Sequence, residues 1–222
     1  MLSMFSNFRF SFFKQSLDSP PDHGTVKLAG VIELIKKNKS FVASCVLEVL
    51  LTKKLVIKSF YELSQNHYDS IRQSIETDLS TTLTTEFPPT PIAIEKIEAY
   101  LEGIIFDRKI IYLNFKKDVS QIASTLIHEV SHYLNSTILD EERVQSEEED
   151  ADYCDEVRAF MAEKMFQRNG ACLTRSAVKD VHTMVTDLYP EFNNVKQPNK
   201  KGFVFSYYDK PAEETFNVMS SN

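Results

Sequence analysis

Along most of the chain apolar positions recur every three to four residues, but around residue 105 the rhythm shortens, and the two spacings predict different elements. Near the N-terminus Leu28, Val31, Ile32 and Ile35 recur at helical spacing, and Ser40 is placed to cap a second helix running to about Lys53. A third helix is expected from about Ser64 to Ser80. The stretch "AYLEGIIFDRKIIYLN" (99–114), rich in Ile, Phe and Tyr, reads as two short strands joined near Asp107 and Arg108. Directly after it, "DVSQIASTLIHEVSHYLN" (118–135) reads as a helix. Asp118 stands as N-cap, Gln121 occupies the reciprocal capping-box position, and no Gly or Pro intervenes before Asn135. Its apolar stripe is Ile122, Leu126, Val130 and Tyr133 or Leu134, and its polar stripe is Gln121, Thr125, His128, His132 and Asn135.

A further helix is expected over "DADYCDEVRAFMAEKMFQRNG" (150–170), capped by Asp150 or Asp152 and stopped at Asn169-Gly170, with Val157, Phe160, Met161 and Met165 inward. Another covers Ser176 to about Leu188, and "GFVFSYYD" (202–209) reads as extended. Turn-forming clusters at 18–24, 86–91, 168–171 and 195–202 punctuate the chain. The organisation they predict is a tail over 1–24 and one domain over 25–222. Within that domain lie a helical scaffold (25–90), a core (91–170) and a C-terminal helix with its extended segment (171–222). The fold class expected is α+β, mostly helical, with a short strand pair ahead of the central helix.

Composition narrows this further. At 222 residues and 42% hydrophobic the chain can build a sizeable core, and no run reaches the length of a membrane span. The most apolar stretch, "FVASCVLEVLLTKKLVI", is broken by Glu48 and by Lys53-Lys54. Three scattered cysteines, Cys45, Cys154 and Cys172, form no disulfide framework or thiolate metal motif, which points to a reducing compartment. Residues 140–156 hold ten acids and one arginine, so this run alone exceeds the chain's net charge of −7. The rest of the chain is close to neutral, which argues against nucleic-acid binding. Five phenylalanines among the first thirteen residues, without a secretory pattern, suit a flexible tail or one that docks on the domain, with an amphipathic delivery segment or peripheral membrane contact as the alternative.

The candidate chemistry sits in the central helix. "HEVSH" sets His128 and His132 one helical turn apart with Glu129 beside the first. Two imidazoles so spaced can share a metal ion, and the intervening glutamate can take a proton from an activated water. A catalytic site of this kind needs a third protein ligand and an open position.

The order strand "KIIYLN", helix "LIHEVSH", then an acid on a later helix resembles the HExxH zinc metallopeptidases, the zincins. "HEVSHYLNSTI" carries Asn135 and Ile138 where the metzincin branch has Gly and His, which excludes that branch. In the gluzincin branch the third ligand is a downstream glutamate in an E-x-x-A setting, and "EVRA" (156–159) resembles it. The resemblance therefore implies a zincin-like core, Zn2+ as cofactor, His128, His132 and Glu156 as ligands, and Glu129 as catalytic base. Asp152 and Glu163 are rival third ligands on the same helix. Phe160 stands where some gluzincins have an aspartate orienting the first histidine, leaving Asp155, Glu163 or Asn135 for that role. The family also uses a Tyr, His or Arg as a second donor to the oxyanion, for which Tyr207, Tyr208 and His182 are candidates. The strand "KIIYLN" is expected to form the cleft rim.

The function these features imply is endopeptidase cleavage of a protein or peptide, and the acidic run reads either as a solvated linker or as a surface for a basic substrate region. The expected setting is the cytoplasm, or a host cytosol entered as a bacterial secreted effector or toxin. The alternatives are a non-catalytic zinc-binding regulatory protein on the same scaffold, and a non-peptidase zinc hydrolase such as a deamidase.

Overall fold

The structure is a computed structural model describing residues 23–52, 55–79, 82–139, 148–171 and 173–195. The N-terminal tail as far as residue 22, the first part of the acidic run (140–147), and the extended segment with Tyr207 and Tyr208 lie outside the described residues.

Seven α-helices and three strands are described: α1 (His23–Lys37), α2 (Phe41–Thr52), β1 (Val56–Ser59), α3 (Gln65–Leu79), α4 (Pro91–Tyr100), β2 (Gly103–Phe106), β3 (Ile110–Leu113), α5 (Val119–Leu139), α6 (Glu148–Gln167) and α7 (Arg175–Leu188). The class is α+β and mostly helical. Among the described residues no helix is long and apolar enough to cross a membrane.

The sheet runs in the order β1-β3-β2. β2 and β3 form an antiparallel hairpin, with Ile105 opposite Ile111, and β1 adds in parallel to β3. The hairpin tip is closed by Asp107 and Arg108, both in the left-handed region at φ 52°, a backbone that suits a tight hairpin turn. The strand "KIIYLN" is therefore central rather than a rim, because β1 arrives from far upstream to cover its other side. The open edge belongs to β2.

Helix α5 forms where its caps dictate. Asp118 Oδ1 accepts from the amides of Ser120 and Gln121, and Gln121 Oε1 accepts from the Asp118 amide. From Ile122 to Ser131 every residue of α5 is buried, as α1, α2, α6 and the sheet surround it. The first apolar cluster joins α1, α2 and the inner face of the sheet to α5 through Val31, Ile35, Val46, Ile111 and Leu126. A second packs α3 and α4 on the outer face of the sheet through Tyr68, Ile71, Ile97 and Tyr112. A third joins α6 to α7 through Tyr153, Val157, Val181 and Phe192.

Two further features fix α6. Ala159 and Ala162 are both fully buried, and their small side chains let the helix lie close to α5. At its end Asn169 and Gly170 take positive φ, and the chain presses onto the α1–α2 turn. There Asn169 Oδ1 accepts from the Lys39 amide and the Asn38 side chain donates to the Phe166 carbonyl.

Gly103 sets the distance between strand β2 and α5. A Cβ at this position would stand 2.5 Å from Thr125 Cγ2, 3.1 Å from Leu113 Cδ2 and 3.3 Å from Glu129 Cγ. Gly103→Ala is expected to destabilise the fold by about 1–3 kcal/mol through overpacking. Thr125→Ser removes the methyl that is struck first, so urea denaturation should show the double variant recovering part of that loss. No recovery would mean that the strand, rather than Thr125, absorbs the clash.

Candidate metal centre

Helices α5 and α6 bring the predicted residues together. His128 and His132 project from α5 with their Nε2 atoms 3.1 Å apart. Glu156 projects from α6, with Oε2 3.6 Å from His128 Nε2 and Oε1 3.8 Å from His132 Nε2. One donor atom from each of the three lies within 4.8 Å of the others, an arrangement that can hold a metal ion. Corners of a zinc tetrahedron with ligands at ~2.0–2.1 Å are about 3.3 Å apart, so the spacing fits with small adjustments. Two buried polar atoms support the same reading, because among the described residues Glu156 Oε2 and His128 Nδ1 have no hydrogen-bond partner. Natural proteins rarely leave such atoms without one, and Glu156 Oε2 faces the histidine pair.

Asp155, adjacent to Glu156, completes the support. Its Oδ2 lies 3.0 Å from His132 Nδ1, and its Oδ1 accepts from the Asn135 side chain at 2.7 Å. A histidine bonded through Nδ1 presents Nε2 to a metal in a fixed orientation. Asp155 thus orients the second histidine. The first is met by Glu163, whose Oε2 lies 3.8 Å from His128 Nδ1 while its Oε1 accepts from Gln167. Phe160 packs edge-on against the His128 ring, with centroids 4.4 Å apart.

The electrostatics are those of a pocket made for positive charge. Burial is the largest influence on His132 and works against its protonation. The Asp155 hydrogen bond and charge, followed by Glu156 and Glu129, outweigh it and bring the imidazole to about 9. Glu129, only 7% exposed, has its carboxyl pushed up by burial, against the pull of both histidines and of the Ile105 backbone amide. Glu163 is likewise raised, chiefly by burial.

Around the triad a cavity of about 690 Å³ runs along β2 to α3, lined by Gly103, Ile105, Glu129, Tyr189, Ser70 and Arg108 among others. Glu102 O accepts from the Asn114 amide, so by the antiparallel alternation Gly103 and Ile105 turn their own N–H and C=O groups to the open edge.

Of the expected oxyanion donors, His182 does not line this cavity. Its Nδ1 is 2.7 Å from the Tyr153 hydroxyl, in the layer between α6 and α7. Tyr207 and Tyr208 lie outside the described residues. The residue that sequence reasoning missed is Tyr189, which follows α7 and lines the cavity. Burial, then the charges of Glu156 and Glu129, then a hydrogen bond with Glu156 raise its phenol above the ordinary range and keep it a proton donor. Its only sequence signal is a tyrosine before a proline at a helix end.

Asp152, the other rival ligand, is exposed on α6 and is not in the donor group. Alanine at His128, His132 or Glu156 is expected to abolish metal retention, whereas Asp152→Ala and Glu163→Ala keep the metal. Asp155→Ala should weaken affinity about 10–100-fold by freeing His132. Elemental analysis and metal titration of the purified variants test the set. Loss in Glu163→Ala with retention in Glu156→Ala would move the third ligand along α6.

No family model, no curated protein and no solved structure matches this chain, so the case for the site stands on its own geometry.

Proposed function

We propose that the chain is a zinc-dependent endopeptidase of the gluzincin kind. The observation that carries this reading is the convergence of His128, His132 and Glu156 beside a buried Glu129, at the foot of an open strand edge. Two neutral imidazoles and one carboxylate are a donor set suited to zinc, and they leave a coordination position free. Bound there, zinc supplies Lewis-acid polarisation of a carbonyl and a lowered water pKa.

The protein's own groups supply the rest. Glu129 accepts the proton of the attacking water on its carboxylate and returns it to the leaving amine. Burial favours the protonated form of Glu129, which suits the second of those tasks. Tyr189 points a phenolic O–H into the same space and can donate to the developing oxyanion. An extended chain pairs with the Gly103 N–H and C=O and the Ile105 C=O on the β2 edge, while the Ile105 N–H serves Glu129, which holds its peptide bond beside that carboxylate.

Glu129→Gln keeps size and shape but cannot accept the proton. Zinc is expected to stay while turnover falls about 10²–10⁴-fold. The measurement is a count of new N-termini in a cell lysate treated with wild type or variant. Equal cleavage by both would remove Glu129 from the mechanism, and chains left uncut but altered in mass would indicate a deamidase. Tyr189→Phe should lower kcat about 10²-fold with KM and zinc content nearly unchanged. If this variant instead loses the metal, the phenol serves Glu156 and not the oxyanion.

A further inference from the structure

The cavity does not end at the metal group. It follows β2 beside α3, where Ser70, Ile71 and Ser74 line it, and reaches Arg108 at the hairpin tip. Ser70 and Ser74 are one helical turn apart and exposed, and among the described residues their hydroxyls have no partner. Asp107, the acid adjacent to Arg108, lies 3.6 Å from His67 Nε2, and the His67 ring stacks on Phe106 with centroids 4.1 Å apart. Arg108 itself makes no hydrogen bond or ion pair with a described residue, and its left-handed backbone fixes it at the turn. Among the described lining residues it is the only Lys or Arg, and Asp107, which also lines the cavity at the tip, is turned to His67.

We infer that the hairpin tip is a subsite for an acidic side chain of an extended peptide, with Arg108 as its cation and the Ser70 and Ser74 hydroxyls as additional donors. The inference rests on the reading of the site as a peptidase. A guanidinium presents paired N–H groups that match a carboxylate, and hydroxyls on one helix face can complete its hydrogen bonds. Spacing sets the position of that acid. Arg108 is three residues past Ile105, whose amide meets Glu129. A chain lying along β2 rises ~3.3 Å per residue, so the side chain opposite the tip is two or three residues from the bond at Glu129. Ile71 and Phe106 give that segment an apolar wall.

The test uses the zinc-loaded full chain on a library of lysate-derived peptides, with every new terminus sequenced. Wild type is expected to enrich Asp or Glu several-fold at the second or third residue on one side of the cut. Arg108→Glu should abolish that preference and favour Lys or Arg there, with zinc content unchanged. In a second readout without turnover, immobilised Glu129→Gln should retain acidic peptides from the same library, and Glu129→Gln/Arg108→Glu should not. Cleavage without an acidic preference, or a preference that survives Arg108→Glu, overturns the subsite and leaves the peptidase reading intact. Enrichment confined to peptides ending in a free carboxylate at that distance overturns it as well. If wild type cuts nothing in the library, the peptidase reading fails and the subsite falls with it.

Discussion

The described fold is arranged around one costly requirement, which is to hold two imidazoles and a carboxylate on a helix whose middle, from Ile122 to Ser131, is buried. Ionisable groups taken out of water cost several kcal/mol each unless they are paired. Helix α6 meets much of that cost with two consecutive acids. Successive helical residues diverge by about 100°, so Asp155 reaches back to His132 Nδ1 while Glu156 turns to the two Nε2 atoms. The pairing remains incomplete, since Glu156 Oε2 and His128 Nδ1 have no hydrogen-bond partner among the described residues. A cation among the three donors would bind the carboxylate oxygen, and the ring nitrogen it leaves protonated would then face Glu163.

The surrounding fold supplies the close approaches that this requirement demands. Ala159 and Ala162 bring α6 onto α5, Gly103 brings β2 down beside Glu129, and the turn at Asn169-Gly170 ties the far end of α6 to the α1–α2 corner. Each is a position where a larger side chain would push a helix or strand away from the site. Precision at the metal group therefore depends on small residues that do not themselves touch it.

The parts of this arrangement that were legible in the sequence are the local ones. The capping box at Asp118 and Gln121, the Asp107-Arg108 turn and the Asn169-Gly170 stop each carry their signal within a few residues, and each element forms there. Helix α4 was concealed because "EFPPTP" reads as a break, although Thr90 accepts from the Ala93 amide and Pro91 opens the helix. Strand β1 was concealed for a different reason, since its pairing with β3 spans more than fifty residues and leaves no local pattern. That hidden strand is why "KIIYLN" moved from rim to centre. In the site, His128, Glu129 and His132 were legible through helical periodicity. Tyr189 was not, because its place depends on how α7 packs on α6, a matter settled by Tyr153, Val181 and Phe192 far from any motif.

Strand β2 joins these levels, because its two sides do different work. Its inward side carries Gly103 and Ile105 toward α5, and the missing side chain at Gly103 lets Glu129 approach the strand. Its outward edge offers the N–H and C=O groups of the same two residues, and Glu129 already draws on the Ile105 amide. A peptide pairing with that edge would meet the Glu129 carboxylate through backbone contacts alone, whatever its side chains. Under the proposed peptidase reading, sequence preference would then come from the ends of the cavity, with Glu129, Asp155 and Glu156 near the donor group and Arg108 beside Asp107 at the hairpin tip. On that reading the strand would fix where a chain lies, and the two ends would decide which chain it is.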